Sequence, residues 1–212
     1  MQTAARRKGV VTTTTNATLC CCRLALAAAT VAACARSPQA SSPPSPEAAA
    51  AAAAPTESAT AELRDATGKA VGTARLTGES TGAVRLVVHV DGMTPGNHGI
   101  HFHSVGSCGA PGDSVAFAAA GGHHNPLTRK HGLENPDGPH AGDLPNLTVG
   151  ANGAGDLDTR TALATLRDGP TTLLDADGSA IVVHAGADDQ RTDPSGNSGA
   201  RVACGVITAG GR

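Results

Sequence analysis

The sequence predicts an all-β domain over residues 59–212, an eight-stranded Greek-key β-barrel or sandwich with two long functional loops. First, many short apolar runs of Val, Leu and Ile are separated by Gly-rich turns, and no segment has a long helical period. Second, this part of the chain, about 150 residues, has the size of one domain. Third, Phe102 and Phe117 are the only aromatic residues, so the core must consist of Val, Leu, Ile and Ala.

Eight segments are predicted as strands because each is short, apolar and bounded by turn residues. In chain order they are 59–65, 70–77, 83–90, 98–103, 147–151, 156–166, 180–184 and 201–208. Two segments between them, 104–145 and 185–200, are rich in Gly, Pro, Asp and Asn and are predicted as long loops. A long loop in a compact domain is usually functional, and the first loop contains four of the nine histidines.

The first 58 residues are predicted to contain a targeting signal and a tether. Residues 1–34 are predicted as a signal peptide, because a basic start precedes an apolar run that is too short to cross a bilayer. The run ends in VAAC, which is similar to a bacterial lipobox and makes Cys34 the predicted lipidation site. Cleavage after a small residue, without a lipid, is the alternative. Residues 35–58 are rich in Ala, Pro and Ser and are predicted as a disordered tether.

The cysteine distribution favours export. Cys20, Cys21 and Cys22 would leave with the signal and Cys34 would carry the lipid, so one pair remains in the domain, Cys108 and Cys204. An oxidising compartment permits these two to join, and two unpaired buried thiols are the alternative. We therefore expect an exported protein of the bacterial cell envelope or periplasm, held at the membrane by a lipid anchor.

Charge and histidine content narrow the class of function. The formal charge of −2 lacks the basic excess of nucleic-acid-binding proteins, so no nucleic-acid partner is expected. Nine histidines accompany only sixteen Lys and Arg residues, and the histidines are clustered. Residues two apart on a strand point to the same face, so His101 and His103 can reach one metal ion while Phe102 faces apolar packing. His98 is predicted to face the other side, as a structural histidine.

The loop 104–145 supplies a second group of candidate ligands. His123, His131, His140 and Asp143 offer three imidazoles and one carboxylate, which match a closed, structural zinc site. Spacing alone leaves incidental loop histidines as the alternative.

His184 ends the apolar strand 180–184, and Asp188 follows four residues later. A buried carboxylate beside metal-bound imidazoles accepts their free ring N–H, which is the role predicted for Asp188. A solvated acid in a turn is the alternative.

Four motifs in this order resemble the copper/zinc superoxide dismutase family. GNHGIHFH at 96–103 resembles the family's copper strand, and GHHNPLTRKHG at 122–132 resembles its zinc loop. HAGDL at 140–144 resembles the end of that loop, and GNSGARVACGV at 196–206 resembles the C-terminal signature. His124 stands where members commonly have an aromatic residue, but the step from His123 to His131 keeps the family spacing.

The resemblance implies a role for each matched position. The implied copper ligands are His101, His103, His123 and His184. The implied zinc ligands are His123, His131, His140 and Asp143, so His123 bridges the two metals. Asp188 would link a copper histidine to a zinc histidine. Arg201 would line the channel to copper, and Cys108–Cys204 would be the family disulfide.

The implied activity is the disproportionation of superoxide to dioxygen and hydrogen peroxide. Histidine-bound copper would cycle by one electron beside a structural zinc, with one ion of each per domain. The superoxide anion is the implied substrate, Arg201 its electrostatic partner and His123 a local acid. Position alone favours a surface arginine at 201. A homodimer is allowed, since the sequence does not fix the oligomeric state.

Two other interpretations remain open. One is a barrel that holds metal without turnover, such as a copper carrier; proteins of this kind usually lose copper ligands or the channel arginine, and this chain keeps them all. The other is a structural envelope lipoprotein with incidental histidines, which would require the matched ligand positions to arise by coincidence.

Overall fold

The computed structural model describes residues 57–210, which contain the predicted barrel. The predicted signal peptide, Cys34 and nearly all of the tether lie outside the described residues. Within the described part, no helix is long and apolar enough to cross a membrane. The described residues are mainly strand and loop, with one short 3-10 helix at Ala118–Ala120 and no α-helix. The predicted all-β class is confirmed.

Ten strands form, and the inward-facing residues of the longer ones alternate with outward-facing residues, as in β3. Their bounds are β1 Ser58–Asp65, β2 Ala70–Gly78, β3 Val84–Val90, β4 Gly96–His98, β5 Ile100–His103, β6 Leu147–Val149, β7 Gly155–Thr161, β8 Ala180–His184, β9 Arg201–Val206 and β10 Thr208–Ala209. The first three pair consecutively through tight turns, as the sequence predicts.

The strands form one antiparallel sheet in the order β4-β6-β7-β3-β2-β1-β9-β8-β5, with β10 paired to β1. β4 and β5 stand at opposite ends of this order, although only Gly99 separates them along the chain. The sheet is therefore curled into a nearly closed barrel whose two ends meet at one residue.

The predicted strand 98–103 is thus two strands with different partners. β4 pairs with β6, whereas β5 pairs with β8. At Gly99 the amide N–H donates to the Gly186 carbonyl and the carbonyl accepts from the His184 amide, both at 2.8 Å. A Cβ atom at this position would lie 2.8 Å from Ser198 Cβ, so the switch between partners requires glycine.

Three other predicted strands differ from the observed ones. β7 stops at Thr161, which is paired with Val84, the first residue of β3. The predicted strand 201–208 divides because β9 pairs with β8, whereas β10 pairs with the start of β1. The predicted strand 147–151 ends at Val149, before a turn.

A large core fills the barrel, and a small one lies beside it. Phe102 is fully buried in the large core, as predicted. The small core surrounds the disulfide Cys108–Cys204, whose Cα atoms are 5.8 Å apart. The cysteines are 96 residues apart, and closing a loop of this length is worth about 4–5 kcal/mol in the chain-entropy model.

Candidate metal centre

Four imidazoles, which we call the four-histidine set, converge from three parts of the fold. His101 and His103 lie on β5, His184 ends β8, and His123 lies shortly after the 3-10 helix. One ring nitrogen of each lies within 4.8 Å of one from every other. The buried nitrogens that lack a hydrogen-bond partner are His101 Nδ1 and the Nε2 atoms of the other three. Buried polar atoms without partners are costly, so their convergence indicates a place for a metal ion.

The second nitrogen of three of these rings is held by the protein. His101 Nε2 donates to Asp188 Oδ2 at 2.6 Å. His103 Nδ1 donates to the Gly121 carbonyl at 3.0 Å, and His184 Nδ1 donates to the Gly199 carbonyl at 3.1 Å. These bonds fix the ring orientations and leave the remaining nitrogen as a lone-pair donor.

A second group, which we call the aspartate set, gathers on Asp143 Oδ1. The Nδ1 atoms of His123, His131 and His140 lie 3.2, 2.9 and 3.3 Å from this oxygen. His140 Nδ1 is also 3.4 Å from His123 Nδ1. Ligands of a tetrahedral zinc ion, bound at about 2.0–2.1 Å, lie about 3.3–3.4 Å from one another. The measured separations are close to this value, so the residues fit a zinc ion.

His123 belongs to both sets, through its two ring nitrogens. His101 also lies near the aspartate set: one ligand atom of each of His101, His123, His131 and Asp143 lies within 4.8 Å of the others. We assign His140 to the aspartate set because of its contacts with Asp143 and His123. The Nε2 atom of His101 is already occupied by Asp188, and its free Nδ1 belongs to the four-histidine set.

The Asp143 carboxylate is fixed by the loop that contains it. Its Oδ2 accepts the amide N–H groups of Gly132 and His140, at 2.7 and 2.9 Å. Burial opposes ionisation, but hydrogen bonds from His123, His131 and His140 hold the pKa of Asp143 well below its usual range. Asp143 therefore stays ionised, and its negative charge favours a cation.

Burial keeps the four-histidine set neutral. It lowers the pKa of His101 to about 3, that of His103 to about 2 and that of His184 to about 4. The pKa of His123 is also lowered, chiefly by burial. Neutral imidazole is the form that binds metal, so His101, His103 and His184 can bind without losing protons at neutral pH.

His131 has the opposite protonation behaviour. Burial lowers its pKa, but hydrogen bonds to Asp143 and Asp188 outweigh this effect and raise the pKa to about 9. Its Nδ1 is 2.9 Å from Asp143 and its Nε2 is 3.0 Å from Asp188. Without a metal, His131 is therefore a cation between two carboxylates.

Asp188 is held by Asn146, a residue whose role no sequence motif indicates. The Asn146 side chain donates to the Asp188 carbonyl and accepts the Asp188 amide N–H, both at 2.8 Å. Asn146 lies just before β6, where a lone amide in a loop gives no signal of this role. Its two bonds fix the backbone that carries the carboxylate.

Arg201, the first residue of β9, lies beside the four-histidine set. Its Nη1 donates to the Phe117 carbonyl and its Nη2 to the Gly121 carbonyl, both at 2.6 Å. The Gly121 carbonyl also accepts from His103. After burial, which is the main cause, the charge of Arg201 contributes to the lowered pKa of His103 and of His184. Because its hydrogen-bond partners are neutral carbonyls, the positive charge is not cancelled.

Two further histidines are buried nearby. His98 places Nδ1 at the His184 carbonyl, 2.7 Å away, and Nε2 at the Thr94 carbonyl, 2.8 Å away. Both nitrogens are thus engaged by backbone, in accord with a structural role. His124 is also buried, and burial lowers its pKa, but it belongs to neither set.

A nearly closed β-barrel with two adjoining sets of side chains that could hold a metal ion defines the class of the protein, a β-barrel protein with a metal-capable centre. The sequence profile described as copper/zinc superoxide dismutase matches residues 70–207. The superoxide dismutase [Cu-Zn] of Caulobacter vibrioides is 47% identical over 153 residues, covering 71% of this chain and 85% of the relative. That of Deinococcus radiodurans is 42% identical over 160 residues, covering 70% and 83%.

A solved structure has a similar fold. The crystal structure of a SOD-like protein from Bacillus subtilis superposes with a TM-score of 0.66 at 40% identity, covering 70% of this chain and 97% of that one. The chain therefore belongs to the copper/zinc superoxide dismutase family, whose enzymes act on superoxide.

Proposed function

We propose that this chain disproportionates superoxide by one-electron cycling of a copper ion in the four-histidine set, beside a structural zinc ion in the aspartate set. The observation that carries the proposal is the convergence of four buried nitrogens that have no protein partner. An all-imidazole set suits copper. When bound, copper would accept an electron from one superoxide and return it to the next.

In this proposal, zinc is held by His123, His131, His140 and Asp143, with one zinc and one copper ion per domain. Three imidazoles and a carboxylate close a tetrahedral site and leave no position for substrate, which is typical of structural zinc. The Asp143 charge and the spacing of the ligand atoms support this assignment.

The protein's own groups would supply anion binding and protons. Arg201 keeps an uncancelled charge beside His103, so it attracts the superoxide anion. His123 Nε2 lies in the four-histidine set and, when no metal holds it, could take up a proton and pass it to the departing peroxide, whose second proton would come from water. Asp188, fixed by Asn146, would hold His101 and His131 in position.

We also propose export to the bacterial envelope, with a lipid on Cys34 and a tether that ends before Ser58, the first residue of β1. The Cys108–Cys204 disulfide supports an oxidising compartment. A homodimer stays a prediction, which sedimentation of the purified chain would test.

A metal-holding barrel without turnover is the second candidate, and one relative is named a superoxide dismutase-like protein. Metal analysis together with a superoxide assay of the purified chain separates the two. We expect about one equivalent of each metal and rapid disproportionation. Full metal content without superoxide turnover would overturn the enzymatic proposal, and less than half an equivalent of either metal after reconstitution would overturn the two-metal assignment.

A further inference from the structure

Phe117 has a backbone conformation that bulky residues rarely adopt. Its φ of 59° and ψ of 21° place it in the left-handed region. A large side chain in this region is an outlier, and such residues persist only where the surroundings enforce them, often at functional sites. In the sequence, Phe117 stands out only as one of two aromatic residues.

The Phe117 ring anchors the segment that contains it. The ring is buried in the small core with Ala120, Ala180, Val182 and Cys204. Val115 is 65% exposed, and the other neighbours are alanines and glycine. Phe117 is therefore the only large buried side chain between residues 115 and 121, and it fixes the segment to β8 and β9.

The left-handed turn at Phe117 decides where its carbonyl is directed. The 3-10 helix Ala118–Ala120 begins immediately after it, and Gly121 ends the helix. The carbonyls of Phe117 and Gly121, one at each end of this helix, receive the two guanidinium donors of Arg201. Both contacts measure 2.6 Å, so a rotation of the Phe117 peptide would break one of them.

We propose that Phe117 is a positioning residue for the reaction: its left-handed backbone, held by its buried ring, fixes the Arg201 guanidinium where the substrate anion arrives. This inference rests on the proposed role of Arg201. Phe117 would contribute to the position of Arg201 in two ways: its apolar bulk anchors the segment, and its backbone conformation directs the carbonyl.

Leucine and isoleucine separate these contributions, because they have the same volume but only isoleucine is β-branched and resists the left-handed region. The test measures azide affinity of the copper- and zinc-loaded protein from the change in visible absorption. We expect F117L to bind azide within about twofold of the unchanged protein, and F117I to bind about threefold to tenfold more weakly. Equal affinity of the two variants at full metal content would overturn the inference.

V115A is the matched control, since it removes an exposed apolar side chain two residues away, and its azide affinity should not change. R201Q distinguishes the two proposals. If R201Q binds azide normally, the role of Arg201 is wrong; if R201Q binds weakly but F117I does not, only the inference on Phe117 is wrong. Should F117I not fold, F117G and F117A make the same comparison, because glycine adopts this φ without strain and alanine adopts it only with strain. The inference then requires tighter azide binding by F117G.

Discussion

Asp188 joins His101 to His131: its Oδ2 accepts from His101 Nε2 at 2.6 Å, and its Oδ1 accepts from His131 Nε2 at 3.0 Å. One carboxylate thus orients one ring of each ligand set. Burial raises the pKa of Asp188, but these two hydrogen bonds outweigh burial and hold it well below the usual range. The link is therefore ionised at any pH at which the protein would function.

We expect D188A to lower zinc affinity about tenfold to a hundredfold, the usual effect of removing a group that orients metal ligands. Chelator competition on the purified protein measures this. D158A is the matched control, because Asp158 is half-exposed on β7 and pairs only with Arg85. An unchanged zinc affinity in D188A would show that the two rings are held without the carboxylate.

Substitution of Gly196 should weaken zinc binding as much as substitution of Asp188. A Cβ atom there would overlap Asp188 Oδ1 and would lie 2.8 Å from His131 Nε2, at a φ of +63°. We expect G196A to displace the carboxylate and to weaken zinc binding at least about tenfold. G82A is the control: Gly82 has a φ of +91° with nothing within 4 Å of the added atom, so it pays only the backbone strain of about 1 kcal/mol. Equal zinc affinity in the two variants would contradict the expectation.

Zinc binding should depend on pH through His131. Its pKa is about 9 without metal, and zinc must displace this proton. We expect zinc affinity to rise by about one log unit per pH unit between pH 7 and 9, measured by chelator competition. Acidification through about pH 4–6, where protons compete with zinc for the imidazole nitrogens, should release zinc before copper. A zinc affinity independent of pH between 7 and 9 would contradict the assigned protonation.

The same pKa has a consequence for the metal-free fold. A raised pKa means that the charged His131 stabilises the fold fully below its ordinary pKa of 6.5, and that this contribution is lost as the pH rises through about 9. Thermal unfolding of the metal-free protein should therefore show a falling midpoint over this range. In H131A this fall should be absent.

Arg201 should control the rate through its charge. We expect R201E to slow superoxide disproportionation severely and R201K to slow it much less, with metal content nearly unchanged. The rate of the unchanged protein should fall as salt rises, because ions screen attraction beyond about 8–10 Å at physiological ionic strength. R85E, on the surface of β3, is the matched control. An R201E variant with full copper and zinc content and an unaltered rate would show that Arg201 is only a surface residue.

Membrane association should depend on Cys34. We expect C34S to move the protein from the membrane to the soluble fraction without changing its activity, since the catalytic domain begins well after this position. C22S, in the part that the signal would remove, should fractionate normally. Membrane retention of C34S would exclude a lipid anchor at this cysteine.

The sequence predicts most of the fold, since alternation and turn residues mark the strands and the two long loops. Gly99 shows what alternation cannot reveal: the pattern of 98–103 is continuous, yet the pairing partner changes within it. Asn146 and Phe117 were missed because their roles depend on backbone contacts made only after folding. The two metal-binding sets were predicted from motif resemblance, because spacing alone could not separate ligands from incidental histidines.

The closure of the barrel at Gly99 orders the events of folding. The meander β1–β3 pairs consecutive strands and can form as soon as those residues are available. By contrast, the hydrogen bond between His101 and Asp188 joins residues 87 apart in the chain, and the disulfide joins residues 96 apart. Long-range contacts of this kind form slowly, because loop closure must come first. The metal centre therefore forms after the meander, so an exported chain would acquire its metals only after nearly all of it has crossed the membrane.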